Sequence, residues 1–144
     1  MARVKLDLPD RFDFSTEISI RIGDINYGGH LGNDAVLSLI HEARVRFLAE
    51  HGFTETNIDG PGLIMADAVV VYKSEAFHGE TLSVEIAAGD FSRTGCDLFY
   101  RLSNTETGRE VARAKTGIVF FDYENRKAVK MPEKFKAILD SHGP

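Results

Sequence analysis

Cysteine is all but missing from this sequence: Cys96 is the only one in 144 residues. One thiol allows no intrachain disulfide and no multi-thiolate metal cluster, and it suits a reduced, cytoplasmic setting. A domain of this length buries roughly two-thirds of its unfolded surface and folds without such staples. Positive charge is also in deficit, with 17 Lys and Arg against 22 Asp and Glu for a formal charge of −5. That balance argues against nucleic acid, whose phosphates are met by clustered Lys and Arg. The densest basic run, Arg126 to Lys136, is interrupted by Glu133 and reads as a solvated turn and helix. No apolar run approaches the ~20 residues that span a bilayer. Met1 to Asp10 intersperses Val4, Leu6 and Leu8 with charges, unlike a signal peptide. His41, His51, His78 and His142 lack paired ligand spacing, so neither a metal nor a cofactor is expected. Repeats, low-complexity segments and linkers are absent, which leaves one domain, 1–144.

What is present is strong periodicity. From Phe12 to Ile22 the even positions are Phe12, Phe14, Thr16, Ile18, Ile20 and Ile22, and the odd ones are polar, which predicts a half-buried strand. Four glycines between Gly23 and Gly32 then break the pattern into a loop. Asn33 or Asp34 is placed to cap a helix running to about Glu50 and ending at Gly52. Its apolar face is Val36, Leu39, Ile40, Ala43 and Phe47, and Asp34, Ser38, Glu42 and Arg46 form a polar edge. Four strand-like runs follow, roughly Leu63 to Glu75, Glu80 to Gly89, Gly95 to Asn104 and Arg109 to Tyr123. The short turns between them, including His78-Gly79, predict an antiparallel meander. Cys96 shares an alternating run with Leu98, Tyr100 and Leu102, which marks it as a buried structural thiol. Pro132 opens a last short helix with a stripe of Phe135, Ile138 and Leu139. One strand, a long apolar helix and four strands make an α+β pattern in which a single antiparallel sheet curls around the helix.

The chemistry concentrates between Arg21 and Asp34, where Asp24, Asn26, Tyr27, His30, Asn33 and Asp34 are spaced by Gly23, Gly28, Gly29 and Gly32. This segment joins a buried strand to a helix amino terminus. Unsatisfied N–H groups there carry partial positive charge and can polarise a carbonyl or hold an oxyanion, for which a thioester is a suitable guest. Each residue also has a plain structural reading: Asp24 pairing with Arg21 or capping a turn, Asn26 shaping a turn, and Glu42 pairing with Arg46 at i, i+4. Asp67, a charge amid Ala66, Ala68 and Val69 to Val71, faces either an interface cleft or the solvent of an edge strand. Lys73, Arg93 and Lys115 are candidate contacts for phosphates.

The string Asp24-Ile25-Asn26-Tyr27-Gly28-Gly29-His30, with Glu42-Ala43-Arg44 on the following helix, resembles the hotdog-fold acyl-CoA thioesterases, in particular the 4-hydroxybenzoyl-CoA thioesterase-like branch. The resemblance covers the whole chain in element order. It implies a hotdog fold, a homodimer or homotetramer with active sites at the subunit interface, and metal-independent hydrolysis of an acyl-CoA. CoA then enters only as part of the substrate. By position, Asp24 matches the first acid of Asp-x-Asp, His30 the histidine of the Gly-His step, Glu42 the helix glutamate, and Gly28 to Gly29 the backbone facing the thioester oxygen. Tyr27, Asn33 and Asp67 are the further substrate-binding candidates. Asn26 stands where many relatives carry the carboxylate that attacks the carbonyl or activates water. A Glu42 or Asp24 base, with His30 and Asn26 positioning water and carbonyl, is the favoured arrangement. Two alternatives go with the motif. In the hotdog hydratase branch, spaced Asp-x-Asn-x-x-His, His30 falls one residue out of step. A non-catalytic acyl-thioester binding module would accommodate a neutral Asn26. Acyl length is expected to depend on the packing of Phe47, Leu48, Ile64 and Val69.

Overall fold

The computed structural model describes residues 3–140, so His142 lies outside the described residues. Strand β1 spans Phe14–Ser19 and helix α1 spans Asn33–Glu50. After α1 come β2 (Gly62–Tyr72), β3 (Thr81–Gly89), β4 (Gly95–Asn104), β5 (Glu110–Asp122), a two-residue β6 (Lys127–Ala128) and α2 (Glu133–Asp140). The strands form one antiparallel sheet in the order β1-β3-β4-β5-β2, with β6 added to β5. This is the α+β arrangement expected, with the long helix lying on a curved sheet.

The apolar stripe of α1 is buried as its periodicity requires: Val36, Leu39, Ile40, Ala43 and Phe47 are all at most 2% exposed. They share one core cluster with the inward-facing Val84, Ile86, Leu98, Tyr100, Ala114 and Phe120 of the sheet. Successive strand residues point to opposite faces, so the even positions of β4 and β5 meet the helix and the odd ones face outward. The outer face is crossed by the amino-terminal segment. There Leu6 O accepts a 2.8 Å bond from Arg113, Asp13 accepts one from the Ala88 amide, and Phe12 lies under the Arg101 guanidinium. No helix among the described residues is long and apolar enough to cross a membrane.

Three expectations need correction. First, β2 does not pair with β3; it pairs with β5 at the far edge. The connection from 73 to 80 can reach about 26 Å, enough to cross the roughly 14 Å between the two strand positions, so it is a crossover and not a hairpin. Second, the first strand ends early, and Ile22–Asp24 forms a single 3-10 turn that leaves Ile22 71% exposed. Third, neither Asn33 nor Asp34 caps α1. Gly32 takes the cap position in extended conformation, without a side-chain bond to the first turn. A Cβ there would lie 2.8 Å from the Asp34 carboxylate, which is why a residue without a side chain fits.

Candidate functional site

The segment from Arg21 to Asn33 folds back on itself and is pinned at both ends. The Asp24 carboxylate, almost buried, accepts the Arg21 amide at 2.9 Å, and the Arg21 guanidinium stands 3.7 Å away. The Gly32 amide donates to Asp24 O at 3.0 Å, the Leu31 amide to Ala76 O at 2.8 Å, and the Tyr72 hydroxyl to Asn33 O at 3.2 Å. Crossover, edge strand and helix start thus hold the loop in place. Asp24 serves as its anchor.

Within those anchors Asn26 organises a tight turn. Its amide donates to His30 O at 2.9 Å, its Oδ1 accepts the Gly28 amide at 2.8 Å, and its carbonyl accepts the Gly29 amide at 3.1 Å. Gly29 takes a positive φ of 84°, open to glycine at little cost. Tyr27 is fully exposed at the tip. The amide protons of Gly28 and Gly29, expected to face a thioester oxygen, are therefore bonded to Asn26. In the first turn of α1 the amides of Asn33 and Asp34 find no acceptor among the described residues, as expected of a helix start.

His30 is half-buried, with Nδ1 3.3 Å from Leu31 O. If Nδ1 carries the proton for that bond, Nε2 presents a lone pair. Nε2 borders the same gap as the Asn26 side chain. A Cβ on Gly28 would lie 3.2 Å from Asn26 Oδ1 and 3.3 Å from His30 Nε2, so glycine keeps the space between amide and imidazole open. His30, Asn33, Val36, Tyr72 and Lys73 line a cavity of about 220 Å³ beside the helix start.

The other two acidic candidates stand apart from this gap within the chain. Glu42 lies nine residues along α1 from Asn33, about 13 Å by helical rise, and is paired with Arg46 at 2.8 Å. It borders a separate depression with Arg21, Ser19 and Ser38. Asp67 follows a β-bulge in β2 and points to the outer face of the sheet. Its Oδ1 accepts from Lys115 Nζ at 2.9 Å and the Gly117 amide at 3.0 Å, and the Lys115 bond holds the carboxyl below its usual range. Lys115 is accordingly occupied, with Asp97 also 4.0 Å away. Cys96 is a buried thiol, pushed up to about 12 by burial with help from Asp97 and Asp13, and so cannot act as a nucleophile near neutral pH.

Sequence reasoning missed a polar chain on the β2 side of α1 that runs from exposed His41 to buried Arg44, Tyr100 and Thr116. Arg44 Nε donates to Glu55 at 2.7 Å and Arg44 Nη1 to Tyr100 at 3.1 Å. The Tyr100 hydroxyl meets Thr116 Oγ1 at 2.8 Å, and His41 Nε2 lies 2.7 Å from the other Glu55 oxygen. Burial alone would raise Glu55, but the bonds from Arg44 and His41 outweigh it and hold the carboxyl below its usual range. Arg44 was visible as part of Glu-Ala-Arg, but its partners are 11 and 56 positions away, in segments whose local patterns say nothing of it. Phe47 and Leu48 are sealed in the core, at 1% and 0% exposure, so they line no acyl pocket. The cavity over Arg44 is bordered by Leu37, Ile40, Met65 and Ala68 instead.

A loop anchored at a helix amino terminus, beside a long helix wrapped by one antiparallel sheet, is the hotdog arrangement, and the sequence profile of the thioesterase-like superfamily matches residues 20–139. The chain belongs to that superfamily. It is similar in structure to a 1,4-dihydroxy-2-naphthoyl-CoA thioesterase from Synechocystis, with a TM-score of 0.82 and 22% identity over 91% of this chain and 98% of the other. A protein from Staphylococcus aureus solved in complex with CoA gives a TM-score of 0.81 at 17% identity, over 96% of this chain and 87% of the other. A DHNA-CoA thioesterase from the same organism gives 0.73 at 21% identity, over 90% and 83%. A search of curated proteins finds no match.

Proposed function

We propose that the protein is a cytoplasmic acyl-CoA thioesterase, hydrolysing the thioester to free acid and CoA without metal or cofactor. The observation that supports this most directly is the cavity that His30 shares with Asn33 at the start of α1, where the amides of Asn33 and Asp34 are bare and His30 Nε2 also borders a gap with Asn26. A thioester carbonyl seated at those amides has its developing oxyanion stabilised by oriented N–H groups and the helix dipole. His30 then takes a proton from water as it attacks, and Asn26 orients that water. The tetrahedral intermediate collapses by expelling the CoA thiolate, which takes up a proton. Glu42 and Asp24, the carboxylates favoured on sequence grounds, give way to His30 in this reading. The first is tied to Arg46 outside the gap and the second anchors the loop.

The active oligomer in this reading is a homodimer or homotetramer. Strand β2 ends the sheet, and Met65 to Ala68 is exposed along it. An open edge of this kind is a template for pairing, and a second copy would wall the seam between α1 and β2. The bound CoA of the structurally similar Staphylococcus aureus protein favours CoA as the carrier. Free-thiol release from acetyl-, octanoyl- and benzoyl-CoA, run beside hydration of crotonyl-CoA, tests the proposal. Thiol release well above the uncatalysed rate is expected. Hydration alone would point to the hydratase branch. Binding of CoA ligands with no turnover would point to a binding module, the reading that a neutral Asn26 favours.

A further inference from the structure

We infer that the cavity between α1 and the β2–β5 edge holds the acyl group, and that Arg44 and Thr116 at its inner end select acyl groups bearing a neutral oxygen substituent there. This rests on the thioesterase reading and adds the substrate class to it. The cavity measures about 290 Å³, with Leu37, Ile40, Met65 and Ala68 as apolar wall and Ser38, His41, Arg44 and Thr116 as its polar part. It follows the cavity beside His30 along the same side of α1 and β2. Asn33 and Val36 border the first cavity and Leu37 and Ile40 the next, while along β2 Tyr72 borders the first and Ala68 and Met65 the second. The step along α1 from Asn33 is about 6 Å to Leu37 and about 12 Å to His41. The Arg44 side chain leans back toward the helix start, as helical side chains do. An acyl chain entering from the loop meets the apolar wall first and the polar end roughly a medium chain's length further on.

The polar end is built and not incidental. Arg44 is 7% exposed and Thr116 3%. A guanidinium has five N–H donors. Two of Arg44's go to Glu55 and Tyr100, and no group among the described residues takes the rest. Glu55 already neutralises the cation, so a hydroxyl or keto oxygen fits better than a carboxylate, which would bring an unpaired charge. A plain alkyl end would strip water from the remaining donors and return nothing, and sites of this kind reject the analogue that lacks the oxygen.

The test compares ω-hydroxyoctanoyl-CoA with octanoyl-CoA in kcat/KM, and the corresponding non-hydrolysable thioethers in Kd by calorimetry, for the wild-type protein and Thr116→Val. The wild type is expected to prefer the hydroxylated member at least tenfold in both measurements. Thr116→Val is expected to reduce that ratio below threefold. Turnover of both substrates at equal efficiency overturns the inference and leaves the thioesterase reading standing. A tenfold binding preference with no turnover supports the pocket and overturns hydrolysis. Failure to bind either thioether overturns the pocket outright. The wild-type pair alone decides if Thr116→Val fails to fold.

Discussion

At the scale of single residues, Asn26 has the most to explain, because it stands where many relatives place a carboxylate yet holds the loop through its own Oδ1. Asn26→Asp keeps an acceptor for the Gly28 amide, so the turn should survive and gain a second base. We expect kcat for acyl-CoA hydrolysis to rise about tenfold, a modest share of what general base catalysis supplies. A fall would show that the amide N–H₂ is needed to orient water. Glu55 allows a stability prediction with a definite sign. Its folded pKa is depressed, so its stabilising contribution is present above the unfolded value of 4.5 and is lost as pH falls through the folded value. Glu55→Gln should cost about 2 kcal/mol near neutral pH, because it leaves the Arg44 charge without its counter-ion. Chemical denaturation between about pH 6 and about pH 3 should show a shallower loss of stability than in the wild type. These roles were unequally legible. Asp24, Asn26 and His30 are close in sequence and announced themselves as a cluster, whereas Arg44 and Thr116 meet through Tyr100 only after the sheet closes over the helix.

At the scale of elements, local pattern carried far where a segment's neighbours are its own chain neighbours. The α1 stripe and the bounds of β4 follow from periodicity and flanking glycines. The place of β2 does not, because a strand's period is the same at either edge of a sheet, and only the crossover through buried Ala76 sends it to β5. The cap of α1 departs from expectation for a related reason: Asn and Asp are good caps in general, but the chain's reversal at Leu31 puts Gly32 at the position. Gly95 marks another place where backbone proximity decides. A Cβ there would lie 2.1 Å from Ile118 O, too close for any side-chain adjustment to relieve. Gly95→Ala must push β4 from β5, and a loss of about 2 kcal/mol or more is expected in thermal unfolding. Gly23→Ala, where nothing lies within 4 Å, should cost less than about 1 kcal/mol.

At the scale of the whole molecule, the proposed oligomer completes the open edge of β2 and the seam beside α1 with a second copy. Ala66, the bulged residue of that edge, is exposed. Ala66→Lys uses the device by which natural edge strands avoid pairing. It should shift the species seen by light scattering toward single chains and lower thioesterase activity in parallel, leaving circular dichroism unchanged. Full activity in a single-chain species would remove the oligomer from the mechanism. In the proposed reaction the thioester is attacked at the loop between Asp24 and Asn33, with His30 beside the helix start. The most direct test is the rate of free-thiol release from a good acyl-CoA substrate by His30→Ala and Glu42→Gln, compared with the wild type. The proposed reaction requires a fall of about a hundredfold or more in kcat for His30→Ala, the range for a lost general base, and a change of less than about threefold for Glu42→Gln. A His30→Ala protein that folds and turns over at the wild-type rate, with Glu42→Gln inactive, would contradict it.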